Sequence, residues 1–246
     1  MTAIQHHLFR CLFAVLLLIS GGAVAQFTSD KAVDSTSNAE IEEQKMLLKV
    51  IDKATKQPVK ADIIIKGLNP RKPVIFPAVS DTAIGLKNYR LYSVSVVKEG
   101  YMYYARKFWP EESTEHVEKI ELRQLKVGLK TSVEDITFLG DQTDIYHKSF
   151  PALQELIQFM QINPDVKLLV IGHANGPEAE KKPASFYKKG SEKRAEAVRD
   201  YLIQRGVSPE RLATKGAGNS EMIYPDPRTD WETQANRRIE IEVIGL

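Results

Sequence analysis

The spacing of apolar residues changes character along the chain and divides it into stretches. Cys11 to Ile19 is an unbroken apolar run, whereas residues 26–44 carry Ser, Asp, Asn and Glu and hardly any large apolar side chain. From Met46 the pattern has period two and draws on β-branched and aromatic residues: LLKVID, ADIIIKG, YRLYSVSVV, YMYYARKFW and HVEKIELRQL, separated by the turn-prone TKQP, NPRKP, SDTAIG and KEG. These runs predict a small antiparallel β-sandwich over residues 45–125, with no helix of length.

After a short joint from Leu125 to Lys130 the pattern mixes periods. Ile136-Thr137-Phe138 reads as a strand, with Gly140, Asp141 and Asp144 in the turn that follows. A helix is predicted from Pro151 to Ile162, because Leu153, Leu156, Ile157 and Met160 fall on one face and Asn163-Pro164 closes it. Lys167 to Ile171 is apolar enough for a strand covered on both faces. A second helix is predicted from Ser191 to Arg205, with Ala195, Val198 and Leu202 on the sheet side and Gly206 as its stop. Glu210 to Lys215 and Ile239 to Ile244 supply further strands. Strand, helix, strand in this order implies parallel neighbours joined by a right-handed crossover. The fold class is α+β: an antiparallel β-sandwich, then a βαβαββ domain over residues 127–246 whose mixed sheet is covered by helices.

Composition changes this picture little. The 246 residues carry 34 Lys plus Arg against 32 Asp plus Glu, so net charge implies no polyanionic partner and nucleic acid is not expected. His6, His7 and Arg10 precede the apolar run, and Ala23-Val24-Ala25 follows it. That three-part pattern predicts a secretory signal peptide over residues 1–25, cleaved before Gln26, with an uncleaved anchor as the alternative. Cys11, the one cysteine, would leave with the signal, so disulfides, thiolate metal sites and a lipoprotein anchor are not expected. Residues 26–44 cannot offset their ordering entropy and are expected to form a flexible leader.

The candidate chemistry lies where the strand before Gly172-His173 ends. Ligands of open α/β sheets sit beyond strand ends, where the next helix presents free amides. With Ser191 as its cap, the helix would hold Arg194 near those amides, a setting that suits a carboxylate.

Four segments in order, LLVIGHANG, GSEKRAEAVRDYLIQRGV, ERLATKGAG and NRRIEIEVI, resemble the OmpA C-terminal-like domain, the OmpA/MotB/Pal type that binds peptidoglycan noncovalently. The resemblance covers roughly Val127 to Leu246. It implies that Arg194 and an acidic residue two positions after Gly172-His173 hold the two ends of diaminopimelate in the peptidoglycan stem peptide. A zwitterion needs one cation and one anion at fixed separation, each making a charge-assisted bond. Asn175 stands in the acidic position, and Tyr187 replaces the family's asparagine seven residues before the arginine. Both departures point to a weakened or altered site. Glu178 or Glu180 of the long loop GPEAEKKPASFYKKG is a candidate replacement carboxylate, while its lysines either attract acidic peptides or solvate the loop.

Asn236, Arg237 and Arg238 match the family's NRR motif, with one arginine lining the ligand groove or, equally, making a structural ion pair or carbonyl contact. His173 is read as a loop anchor or ligand contact, not a catalyst, since no partner nucleophile or base accompanies it. The candidate binding residues are therefore Asn175, Arg194, Ser191, Tyr187, His173, Asn236 and Arg237. No catalytic or metal-binding residue and no cofactor is expected.

The sandwich resembles, more faintly, transthyretin-like or carboxypeptidase-regulatory modules, through Thr55, Pro58, Val59, Ala61 and Glu99-Gly100-Tyr101. Such modules act as spacers or contact surfaces. Tyr89, Tyr92, Tyr101, Tyr103, Tyr104, Phe108 and Trp109 are either packing residues or a carbohydrate platform, packing being favoured. The function expected is that of a noncatalytic periplasmic, outer-membrane-associated protein tethering an envelope protein to peptidoglycan. The alternatives are a protein-binding scaffold that kept the fold and lost the ligand, and an envelope enzyme, against which the lack of a paired acid and base argues.

Overall fold

The computed structural model describes residues 43–69, 72–87, 90–110, 117–139, 143–175 and 182–246. The expected signal segment, most of the expected leader, Tyr89, Gly140, Asp141, Glu178, Glu180 and Lys181 lie outside the described residues.

Seven strands form the first half: β1 (Glu43–Asp52), β2 (Ala61–Lys66), β3 (Val74–Val79), β4 (Asp81–Lys87), β5 (Tyr92–Val97), β6 (Tyr104–Phe108) and β7 (Val117–Leu122). They make two sheets, β4-β1-β7 and β3-β2-β5-β6. Period-two patterning turns Met46, Leu48 and Val50 of β1 towards Ile63 and Ile65 of β2 and Val94 and Val96 of β5, giving one core between the sheets. Each such side chain contributes about 1.5–3 kcal/mol by leaving water.

Four features differ from the sequence reading. β1 and β7 are parallel, with Val50 opposite Ile120, so the sandwich is not wholly antiparallel. Alternation states which residues face the core but not which strand lies alongside. The SDTAIG stretch, expected as a turn, runs into β4, where Ile84 and Leu86 alternate inward against β1. β3 is an edge strand that carries Pro77 and a bulge against β2, which masks its pattern in the sequence. β1 also begins within the last two residues of the stretch read as leader.

The second half runs β8 (Lys130–Val133), α1 (Phe150–Ile162), β9 (Lys167–His173), α2 (Ala184–Gln204), β10 (Leu212–Gly218), α3 (Asp230–Ala235) and β11 (Ile239–Gly245). Its sheet has the order β10-β9-β11-β8, with β9 and β10 parallel and β11 antiparallel to both β9 and β8. The expected strand at residues 136–138 is only an isolated bridge, Phe138 to Ile145, and the true strand lies earlier, at β8. β8 and β9 are consequently not neighbours, because β11 is paired between them.

Ile239, Ile241 and Val243 of β11 and Leu168 and Val170 of β9 join Leu153, Leu156 and Met160 of α1 and Ala195, Val198 and Leu202 of α2 in the second core. Val97, Met102 and Tyr103 of the first half belong to this core as well. The Tyr103 hydroxyl donates to Glu155 at 2.9 Å, and Lys66 reaches the other Glu155 oxygen at 3.1 Å. Burial, then the neighbouring Glu155 charge, pushes the Tyr103 hydroxyl well above its ordinary pKa. The connector is bonded on both sides: Met102 N–H donates to Arg123 and Leu125 N–H to Gly100, while Gly128 N–H donates to Val243.

α2 begins at Ala184 behind Pro183, seven residues before the expected start at Ser191. The ASFYKK segment contains nothing that breaks a helix, and Gly190 is carried in its interior. Ser191 is fully buried where α2 meets the sheet, donating to Lys188 O at 2.9 Å and accepting from Gly218 N–H at 2.9 Å. The helix can come this close because the strands facing it are glycine there. A Cβ on Gly172 would lie 2.0 Å from Ser191 O, and one on Gly216 2.4 Å from Lys188 O.

Candidate ligand-binding site

Alternation along β9 and β11 sends His173 and Glu240 to the sheet face opposite the helix-packed residues. Both are buried, and His173 Nε2 stands 3.0 Å from Glu240 Oε2. Arg238 Nε donates to the other Glu240 oxygen at 2.9 Å, and Lys130 stands 3.3 Å from the same carboxylate. Burial alone would raise the Glu240 pKa, but the bonds from His173 and Arg238 outweigh it and hold the carboxyl at about 2. Glu221 adds a second carboxylate, 3.0 Å from Lys130 and 3.6 Å from Lys215. His173, Glu221 and Glu240 bring ligand atoms within 4.8 Å of one another, as a metal site would. Lys130, Lys215 and Arg238 already balance those carboxylates, so the arrangement works as an ion-pair network.

Above this network lies a cleft of about 210 Å³, lined by Ile136, Thr137, Phe138, His173, Arg194, Gln234, Arg237 and Arg238. Three arginines converge on it and no carboxylate lines it. Arg194 lies over the Phe138 ring, 5.4 Å from its centroid. Arg237 Nε donates to the Asn175 carbonyl, which ties the start of β11 to the end of β9. The cleft can bind an anion such as a carboxylate, with apolar contact from Phe138 and Ile136.

Of the seven residues singled out in the sequence, the structure brings His173, Arg194 and Arg237 to this cleft. Arg194 does not act beside free helix amides, since α2 starts much earlier and the arginine lies in mid-helix. Ser191 serves the contact between helix and sheet, and its side chain bonds are internal. Tyr187 is buried, in edge contact with Phe186 at 5.6 Å. Asn236 is buried and clamps a loop, accepting from Tyr224 N–H at 3.0 Å and donating to Tyr224 O at 2.7 Å. Asn175 is buried at the end of β9, and its amide oxygen and nitrogen have no hydrogen-bond partner among the described residues.

Residues missed by the sequence reading complete the cleft: Phe138 and Gln234, and Arg238, noted only as part of NRR. Gln234 belongs to α3, a helix whose signal was present as Thr229-x-x-Glu232. Thr229 accepts from Glu232 N–H, and the Glu232 carboxylate accepts from Thr229 N–H, a complete capping box.

A family model described as the OmpA family matches residues 137–238, the span that carries the cleft. Residues 137–238 are an OmpA-like domain. Outer membrane porin F of Pseudomonas fluorescens is 31% identical over 111 residues, which cover 44% of this chain and 32% of that protein. The photosystem I P700 chlorophyll a apoprotein A2 of Gloeobacter violaceus is 30% identical over 115 residues, covering 44% of this chain and 12% of that protein. This chain thus spans a third or less of the length of either relative. The periplasmic domain of Helicobacter pylori MotB is a solved structure similar to this chain, at 23% identity with a TM-score of 0.42 over 50% of this chain and 76% of that one. The OmpA-like domain includes α1, β9, α2, β10 and α3, and stops at Arg238, so β11 carries the sheet beyond the matched span.

Proposed function

We propose that the OmpA-like domain binds peptidoglycan noncovalently through Arg194 and Arg237 of the cleft, beside Arg238, which Glu240 holds, and that the β-sandwich contacts another envelope protein. An OmpA-like domain fits peptidoglycan binding in the envelope, and the matched family is noncatalytic. The observation that carries the reading is the convergence of three arginines on a cleft with no carboxylate in its wall. A stem peptide offers such a site its diaminopimelate carboxylate. Asn175, which the resemblance would set against the ligand's ammonium, is buried and does not line the cleft, so the arginines alone carry the reading. Among the described residues no helix is long and apolar enough to cross a membrane. We place the chain in the periplasm, associated with the outer membrane, as a tether between wall and partner.

The test is retention of the purified chain on isolated peptidoglycan. Arg194→Ala is expected to weaken retention about tenfold, the worth of one charge-assisted bond. Arg199→Ala, which removes an arginine paired with Asp200 outside the cleft, is expected to leave it unchanged. Equal retention of both variants and the parent would remove the site.

A second reading is favoured by Asn175 and Tyr187. A neutral amide gives an ammonium about half the bond strength of a carboxylate, and a domain so altered serves as a protein-interaction scaffold. No retention of the parent chain by peptidoglycan, with capture of an envelope protein instead, would establish that reading.

A further inference from the structure

A second, larger groove opens beside the cleft and shares its wall. It encloses about 850 Å³ and is lined by Trp109 and Leu91 from the sandwich and by Trp231 and Ile223 from the OmpA-like half, with Lys107, Glu134 and Asp135 at its edge. That volume falls within the ~300–1,000 Å³ typical of small-ligand sites. Trp109 is 41% exposed and Trp231 60% exposed, although indole is among the most costly side chains to leave in water.

The polar atoms of this groove narrow the choice of ligand. Lys107 is neutralised by Asp135 at 2.7 Å, with Glu134 at 3.8 Å, and Arg238 is held by Glu240. What remains for a ligand, besides Arg237 on the wall shared with the cleft, is two exposed indoles and the uncharged hydrogen-bonding groups Ser132, Thr137 and Gln234. A pyranose ring matches that set: its axial C–H face stacks on an aromatic ring while its hydroxyl and acetamido groups bond at the edge. Ile136, Thr137, Gln234, Arg237 and Arg238 line both the groove and the arginine cleft, so the two are continuous. A polymer whose sugar rings lie in the groove would deliver an acidic branch from one ring into the cleft.

We propose that the groove between Trp109 and Trp231 is a sugar-binding subsite that stacks amino-sugar rings of the glycan strand whose peptide branch enters the arginine cleft. The inference rests on the peptidoglycan reading of that cleft and extends it from the branch to the strand. It also gives the sandwich a part in ligand binding, through Trp109.

The chain has two tryptophans, and both line this groove, so emission excited selectively at the red edge, where the nine tyrosines do not absorb, reports on the subsite. The experiment titrates the purified chain with chitotetraose, a β-1,4-linked N-acetylglucosamine oligomer that has no peptide. Expected is a saturable change in emission that survives in Arg194→Ala. Trp109→Ala and Trp231→Ala, each retaining one reporter, should bind about tenfold more weakly. Trp231→Phe, which keeps an aromatic face, should restore most of the loss and separates stacking from misfolding, with circular dichroism as the check.

No emission change up to about 10 mM sugar, in a chain still retained on peptidoglycan through Arg194, would overturn the subsite and leave the cleft standing. Sugar binding in a chain that peptidoglycan does not retain through Arg194 would uphold the subsite and overturn the cleft. Equal sugar affinity in the alanine variants and the parent would place the sugar elsewhere and sink the proposal.

Discussion

Glu240 keeps its charge against burial because His173, Arg238 and Lys130 all face it. Its folded-state pKa, about 2, lies below the ordinary value of 4.5. The stabilisation linked to this depression is therefore fully present above about pH 4.5 and is lost as pH falls towards about 2. Asp52 has a similar value, about 2, set first by the Thr55 amide and then by Gln124, so the wild-type loss in this window has more than one source. Glu240→Gln is expected to lower the melting temperature near neutral pH and to shrink the fall between about pH 5 and pH 2. Thermal melts of both proteins across that range check it, and parallel curves would show that Glu240 contributes nothing to acid sensitivity. The sequence could pair Arg238 with some acid but could not choose Glu240, whose place opposite Ile171 and diagonal to His173 depends on the pairing of β11 with β9.

Between element and element, the contact of α2 with β9 and β10 sets the geometry of the site, because α2 carries Arg194. Gly172→Ala would press a methyl against the Ser191 carbonyl and is expected to cost about 3 kcal/mol or more. Gly190→Ala makes the contrast. Its Cβ meets nothing, so it should stabilise the helix by up to about 1 kcal/mol. Urea denaturation of the two variants checks both signs. Much at this scale was legible in the sequence: the face of α1, the sheet side of α2, and β9 and β11 followed from period and apolar content. The start of α2 was not, because Gly190-Ser191 imitates a helix start although only Ser191 serves a tight packing contact. β4 was legible in the alternation of Ile84 and Leu86 but was overridden by turn-like neighbours, and α3 in its capping box. The parallel pairing of β1 with β7 left no local signal, since partner choice depends on contacts far apart in the chain. The groove holding Trp109 and Trp231 was hidden for the same reason.

On the scale of the whole molecule, the second core does not stop where the OmpA resemblance begins. Met102 and Tyr103 are buried in it, and the Tyr103 ring lies 6.5 Å from that of Phe159. Removing the sandwich would uncover α1 and leave Glu155 without Tyr103 or Lys66. The fragment 127–246 is expected to melt lower than the full chain by roughly 10 °C or more. The full chain is expected to unfold in one calorimetric transition. Two well-separated transitions, the upper one matching the fragment, would show that the halves are energetically independent.

The connector at residues 123–129 then acquires a mechanical meaning. Backbone bonds already clip it to Gly100 and Met102 on one side and to Val243 on the other. A protein that links the cell wall to a second anchor is loaded in tension whenever the envelope flexes. A free linker would answer that load as a slack spring. In the proposed tether the strap would have no slack to give out until those bonds shear, and tension would pass into the shared core.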